Sequence, residues 1–103
     1  MPTREFPLTR VWIDGEPVDA RRARLTVRRD DASASEIGLF DWEVTALGDE
    51  KRWLVQGEHR LRLESEDGRT FEGRAILTTT DGTSHLFRGL GNLGGFEQSE
   101  FSG

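Results

Sequence analysis

The two histidines, His59 and His85, are the first side chains to weigh for chemistry. Neither has a second histidine or an acid at ligand spacing along its own strand, so no metal site follows from them. Glu58 and His59 are neighbours, which in a strand point to opposite faces. No Gly-x-Ser-x-Gly elbow presents a serine nucleophile. The chain has no cysteine, which removes thiolate catalysis, disulfides and cysteine zinc sites together. Nineteen acids could supply a carboxylate pair for glycoside chemistry, but no spacing selects one. The histidines therefore read as half-buried strand or loop residues. No enzyme, metal or cofactor is expected.

Gly89-Leu90-Gly91-Asn92-Leu93-Gly94 matches the G-x-G-x-x-G string of dinucleotide-binding loops and follows a predicted strand. That motif needs a helix N-terminus facing the pyrophosphate, a second strand and an acidic ribose partner. Only nine residues follow Gly94, too few for any of these. The string reads instead as a glycine-rich exit from the last strand, one that lets Phe96 or Phe101 fold back onto a neighbour.

Arg21, Arg22, Arg24, Arg28 and Arg29 put five guanidinium groups into nine residues. On one strand face they could make repeated phosphate contacts, or they could lie solvated and paired across to Glu43, Glu64 or Glu72. Acids outnumber bases, 19 to 14, which favours the paired reading. Arg24-Leu25-Thr26-Val27-Arg28 matches the R-x-x-x-R string of PilZ domains. Ser33-Ala34-Ser35-Glu36-Ile37-Gly38 is similar to their second string, D/N-x-S-x-x-G, with Ser33 where Asp or Asn is expected. PilZ domains are small β-barrels that bind cyclic di-GMP. The resemblance covers about 15 residues, and it separates the strings by four residues where the family has a full strand. It implies an anion-binding barrel whose ligand meets Arg24, Arg28 and Ser35, which is the alternative functional reading.

Three tryptophans remain. Trp42 shares an apolar face with Phe40, Val44 and Ala46 and belongs to the core. Trp12 lies on the opposite parity from Val11 and Ile13, and Trp53 borders the polar turn at Lys51-Arg52. These two are the candidate interface anchors.

The elements that position these residues are strands, because the apolar period is two through most of the chain. Ala23, Leu25 and Val27 face one way; so do Leu61 and Leu63; so do Phe71, Gly73, Ala75 and Leu77. Asp14-Gly15, Asp67-Gly68 and Asp81-Gly82 each separate alternating runs and predict hairpin turns. The only helical candidate is Ala32 to Leu39, where Ser33 or Ser35 could cap one turn. Residues 14–21 can also be laid over residues 67–74 with six of eight positions alike in chemistry, an offset of 53 that suggests two similar strand–turn–strand units.

At 103 residues, the chain has the length of one domain. Its 25 Leu, Ile, Val and Phe residues clear the composition floor for a folded core. A net charge of −5 argues against a general nucleic-acid role. No run suits a membrane span or a signal peptide, so a cytoplasmic location is the default. The expected object is a single all-β domain over residues 1–95, an antiparallel barrel or two-sheet sandwich of six to eight strands. Residues 96–103 form a Gly/Ser/Phe tail. The expected function is non-enzymatic: a protein-interaction or assembly module that self-associates through a sheet edge or a patch containing Trp12 or Trp53.

Overall fold

Hairpin turns set the first level of the architecture. In the computed structural model, which describes residues 3–18, 20–29, 40–48 and 55–96, Asp14 and Gly15 both adopt positive φ, +53° and +84°. That is the type I′ geometry, whose twist matches the flanking strands. It joins β1 (Thr3–Ile13) to β2 (Glu16–Val18), with Ile13 opposite Glu16. β3 (Ala20–Arg29) comes next in the chain and pairs with the first half of β1. β4 (Phe40–Gly48) follows, then β5 (Gly57–Ser65), β6 (Thr70–Thr80) and β7 (Ser84–Gly94). Asp67-Gly68 and Asp81-Gly82 turn β5 into β6 and β6 into β7. All three Asp-Gly pairs thus join adjacent antiparallel strands.

The order β2-β1-β3-β4-β7-β6-β5 is closed by a further pairing of β1 with β5. The result is a six-stranded antiparallel barrel with β2 as an additional short strand, rather than a sandwich. Chain halves β1-β3-β4 and β5-β6-β7 are each a three-stranded meander, and β1–β5 and β4–β7 are the seams between them. Arg10 and Val11 lie opposite Glu64 and Leu63 at the middle of the first seam. Arg10 to Leu63 and Val11 to Glu64 are each 53 positions apart, the offset of the sequence overlay.

Alternation sends one side chain in two to the interior. Val11, Leu25, Val27, Trp42, Val44, Leu61, Leu63, Phe71, Leu77 and Phe87 are fully buried there. Phe96, placed in the tail by the sequence reading, is also buried and packs edge-on to Phe6 at 6.1 Å. Arg69 covers this end of the barrel. Its guanidinium lies 5.0 Å from the Phe6 ring and 4.9 Å from Phe71, and donates to the Gly95 carbonyl at 2.8 Å. The helical candidate Ala32–Leu39 lies outside the described residues.

Candidate functional site

The glycine string serves packing. Gly89 and Gly73 face the barrel interior from adjacent strands, and the Trp42 indole occupies the space their side chains would take. A Cβ on Gly73 would stand 2.7 Å from Trp42 Cζ2, and one on Gly89 would overlap Cε2, Cδ2 and Nε1 of the same ring still more closely. At Gly91 the backbone turns to φ +73° and its carbonyl accepts the Trp42 Nε1–H at 3.1 Å. The string is a slot for a tryptophan and its bonding partner.

Arg24 and Arg28 of β3 are each held by an acid. Arg28 Nη1 lies 2.7 Å from Glu43 Oε1, and Arg24 Nη1 lies 3.7 Å from Glu5 Oε1; both arginines and Glu5 are about half-exposed, Glu43 less so. This is the solvated, cross-strand-paired face. Ser35 and Trp53 lie outside the described residues.

Trp12 does reach the outer surface, where it is half-buried. It forms one wall of a groove of about 760 Å³ on the outside of the barrel. Its neighbour along that wall is Gly15 of the β1–β2 turn. The floor comes from Arg60 and Arg62 of β5 and Glu72 and Arg74 of β6; Leu90, Gly91 and Asn92 of β7 form the opposite wall. The Arg62 guanidinium stacks 5.3 Å from the Trp12 ring and lies 3.6 Å from Glu72. Arg74 lies 3.3 Å from Glu58. Arg60 stands directly opposite Arg74 in the β5–β6 ladder, and its guanidinium has no ion-pair partner among the described residues. Like charges directly opposed across strands repel. The middle of the groove floor thus holds two opposed arginines, Arg74 paired with Glu58 and Arg60 acted on only through space by the Asp14 carboxylate.

At the Gly15 end the groove meets a polar cluster built on His59. The ring is buried, edge-on to Phe87 at 6.1 Å. Nδ1 lies 2.6 Å from Asp14 Oδ2, and Nε2 lies 2.5 Å from the Val55 carbonyl. Asp14 Oδ1 accepts the Arg60 backbone N–H at 2.9 Å. Both ring nitrogens face acceptors, so the imidazolium satisfies the site best. Burial alone would lower the His59 pKa, but the Asp14 carboxylate and the Val55 carbonyl outweigh it and hold it above its ordinary value. The Arg60 N–H, followed by His59, holds Asp14 below its own ordinary value. His85 is also buried and shares a 2.7 Å hydrogen bond with the Thr80 hydroxyl.

The sequence reading names Trp12 as a candidate anchor, which the structure leaves half-buried on the outer face, and passes over Arg60, Arg62, Arg74 and Leu90. One signal for them exists. With Asp67-Gly68 as a tight hairpin, the ladder from Glu64 opposite Thr70 brings Arg60 opposite Arg74. Trp12 joins them only through the β1–β5 seam, which no local pattern specifies. That seam also alters the expected edge. Val11–Ile13 pairs with β2 on one side and β5 on the other, so it presents no free backbone for a dimer. No helix among the described residues is long and apolar enough to cross a membrane. No family model, curated protein or solved structure matches the chain.

Proposed function

We propose that this domain is a non-enzymatic protein-interaction module that takes an acidic segment of a partner protein into the outer groove. One observation carries the reading: an arginine without an acid partner faces a second arginine in a groove walled by a half-buried tryptophan. Tryptophan and arginine supply most of the binding energy in measured interfaces, and this pair of residue types sits together in a concavity. A carboxylate entering between Arg60 and Arg74 would be attracted by both and would relieve their mutual repulsion. Arg24 and Arg28 offer a poorer anion site, since both are ion-paired, whereas in the groove Arg74 is paired but Arg60 has no ion-pair partner among the described residues.

The test is chemical-shift mapping on the labelled domain with a penta-glutamate peptide, against penta-lysine as control. Penta-glutamate should move the Trp12 indole N–H and the backbone amides of residues 60–62, 72–74 and 90–92. The shifts should weaken as salt is raised, because exposed charges are screened over about 8–10 Å at physiological ionic strength. Shifts centred on Arg24 and Arg28, or none at all, would refute the assignment.

A further inference from the structure

Two basic residues act on Asp14 at the Gly15 end of the groove. His59 Nδ1 lies 2.6 Å from its Oδ2. Arg60 is bound to it twice through the backbone: the Arg60 N–H donates to Asp14 Oδ1 at 2.9 Å, and the Asp14 N–H donates to the Arg60 carbonyl at 2.8 Å. These two bonds fix the β1–β2 turn to β5 whatever the charge on the histidine. The Arg60 guanidinium, without an ion-pair partner among the described residues, feels the Asp14 charge through space. Arg60 and Gly15 line the groove, whereas Asp14 and His59 stand just outside it.

The His59 ring can hold both of its contacts only as a cation. Nε2 faces the Val55 carbonyl while Nδ1 faces the carboxylate, and a neutral imidazole has a single N–H to donate. The carboxylate is the stronger acceptor, so the neutral ring keeps Asp14 and gives up Val55. Asp14 is the one acid that reaches the ring among the described residues. On β5 itself Glu58 and Arg60 alternate to the outer face, β6 places Ala75 opposite His59, and β7 sets the Phe87 ring against it. We infer that the Asp14–His59 pair is a proton-operated regulator of the groove. With His59 protonated, the pair carries no net charge and Arg60 is left to the acidic ligand. With His59 neutral, Asp14 carries an uncompensated charge beside the groove, where it attracts Arg60 and repels the ligand's carboxylate. Affinity for an acidic segment therefore falls as pH rises through the His59 titration. Burial opposes the charge on the ring, but Asp14 and Val55 outweigh it, so the fall lies above the ordinary histidine pKa of about 6.5.

This inference rests on the acidic-segment reading of the groove and adds its regulation. The experiment titrates blocked penta-glutamate into the labelled domain at steps from about pH 5.5 to 9, a range in which the peptide stays ionised. Parental affinity should fall about two- to fivefold across it, the size of one solvent-exposed charge interaction. Two variants lock the pair in opposite senses. Asp14→Asn keeps the Oδ1 acceptor and suits the positive φ of the turn, so it should bind at the alkaline end as tightly as the parent binds at the acid end. His59→Gln leaves the carboxylate uncompensated and should bind throughout as weakly as the parent does at the alkaline end. In the free protein the Arg60 Cδ–H signals should move with the His59 ring over the same titration, a readout that needs no ligand. Groove binding independent of pH, or a fall that survives Asp14→Asn, would overturn the regulation and leave the acidic-segment reading in place. No binding at any pH would overturn both, and Arg60 signals that ignore the His59 titration would overturn the coupling by themselves.

Discussion

Gly89→Ala adds one methyl group and should be among the most damaging changes of its size. Gly89 lies on β7 opposite Ala75 of β6, and its missing side chain makes room for the Trp42 indole. The new Cβ would overlap Cε2, Cδ2 and Nε1, atoms at the centre of the largest fully buried side chain. Carbon atoms pack at about 3.5–4.0 Å, so the ring has to move by more than an ångström. It cannot do so alone, because Nε1–H is bonded to the Gly91 carbonyl and the ring edge already abuts Gly73. Overpacking of this kind costs about 1–3 kcal/mol, and loss of the indole hydrogen bond adds about 1 kcal/mol. The expected loss is about 2–4 kcal/mol. Urea unfolding followed by tryptophan fluorescence measures it, with a midpoint lowered by about 1–3 M at the m-values usual for small domains. A second variant isolates the cause. In a Trp42→Leu background the obstructing ring is gone, and adding Gly89→Ala should cost less than about 0.5 kcal/mol further. If Gly89→Ala alone stays within about 0.5 kcal/mol of the parent, the glycine string does not exist to seat Trp42.

The Asp14–His59 pair makes stability depend on pH in a defined direction. His59 has its pKa raised on folding, so its contribution is full below about pH 6.5 and is lost as pH rises through the higher folded value. Asp14 has its pKa lowered, so its contribution is full above about pH 4 and is lost as pH falls through the lower folded value. Thermal unfolding should therefore peak between about pH 4 and 6.5, and His59→Gln should remove most of the decline on the alkaline side; an unchanged decline would assign it elsewhere. With Asp14 about half-exposed, the alkaline loss should be only about 1 kcal/mol. Arg24→Ala should cost less than about 1 kcal/mol by denaturation, since its partner Glu5 is 3.7 Å away and solvated; a loss above 2 kcal/mol would mean the β3 face is not simply a solvated one. Gly68→Val should be clearly destabilising, because Gly68 has φ +86° and a β-branched residue resists that region, although no atom stands in the way of the new side chain. Retention of parental stability would refute the positive-φ turn.

Alternation along single strands was legible in the residues themselves. Ala23, Leu25 and Val27, or Phe71, Ala75 and Leu77, face inward because a strand repeats every two residues wherever it ends up. The three Asp-Gly turns were equally legible, since positive φ at a tight hairpin depends on the residue that must adopt it. Trp42 as core and Trp12 as surface followed from the same parity. What lay beyond reach joins residues far apart in the chain. Barrel closure depends on Val11 finding Leu63, and nothing near Val11 distinguishes a free edge from a paired one. His59 looks solitary along the chain because its carboxylate is Asp14, 45 positions away. Gly89 and Gly91 read only as a glycine-rich strand exit; that Gly89 makes room for Trp42 and Gly91 accepts its indole N–H depends on another strand. The charge balance favoured acid-paired arginines on β3, but which acids meet Arg24 and Arg28, Glu5 and Glu43 across two ladders, was not legible. Charge and free volume at a point in space are sums over every strand that arrives there. Local sequence sets the strands and the faces they present, and only the closed barrel decides which faces meet.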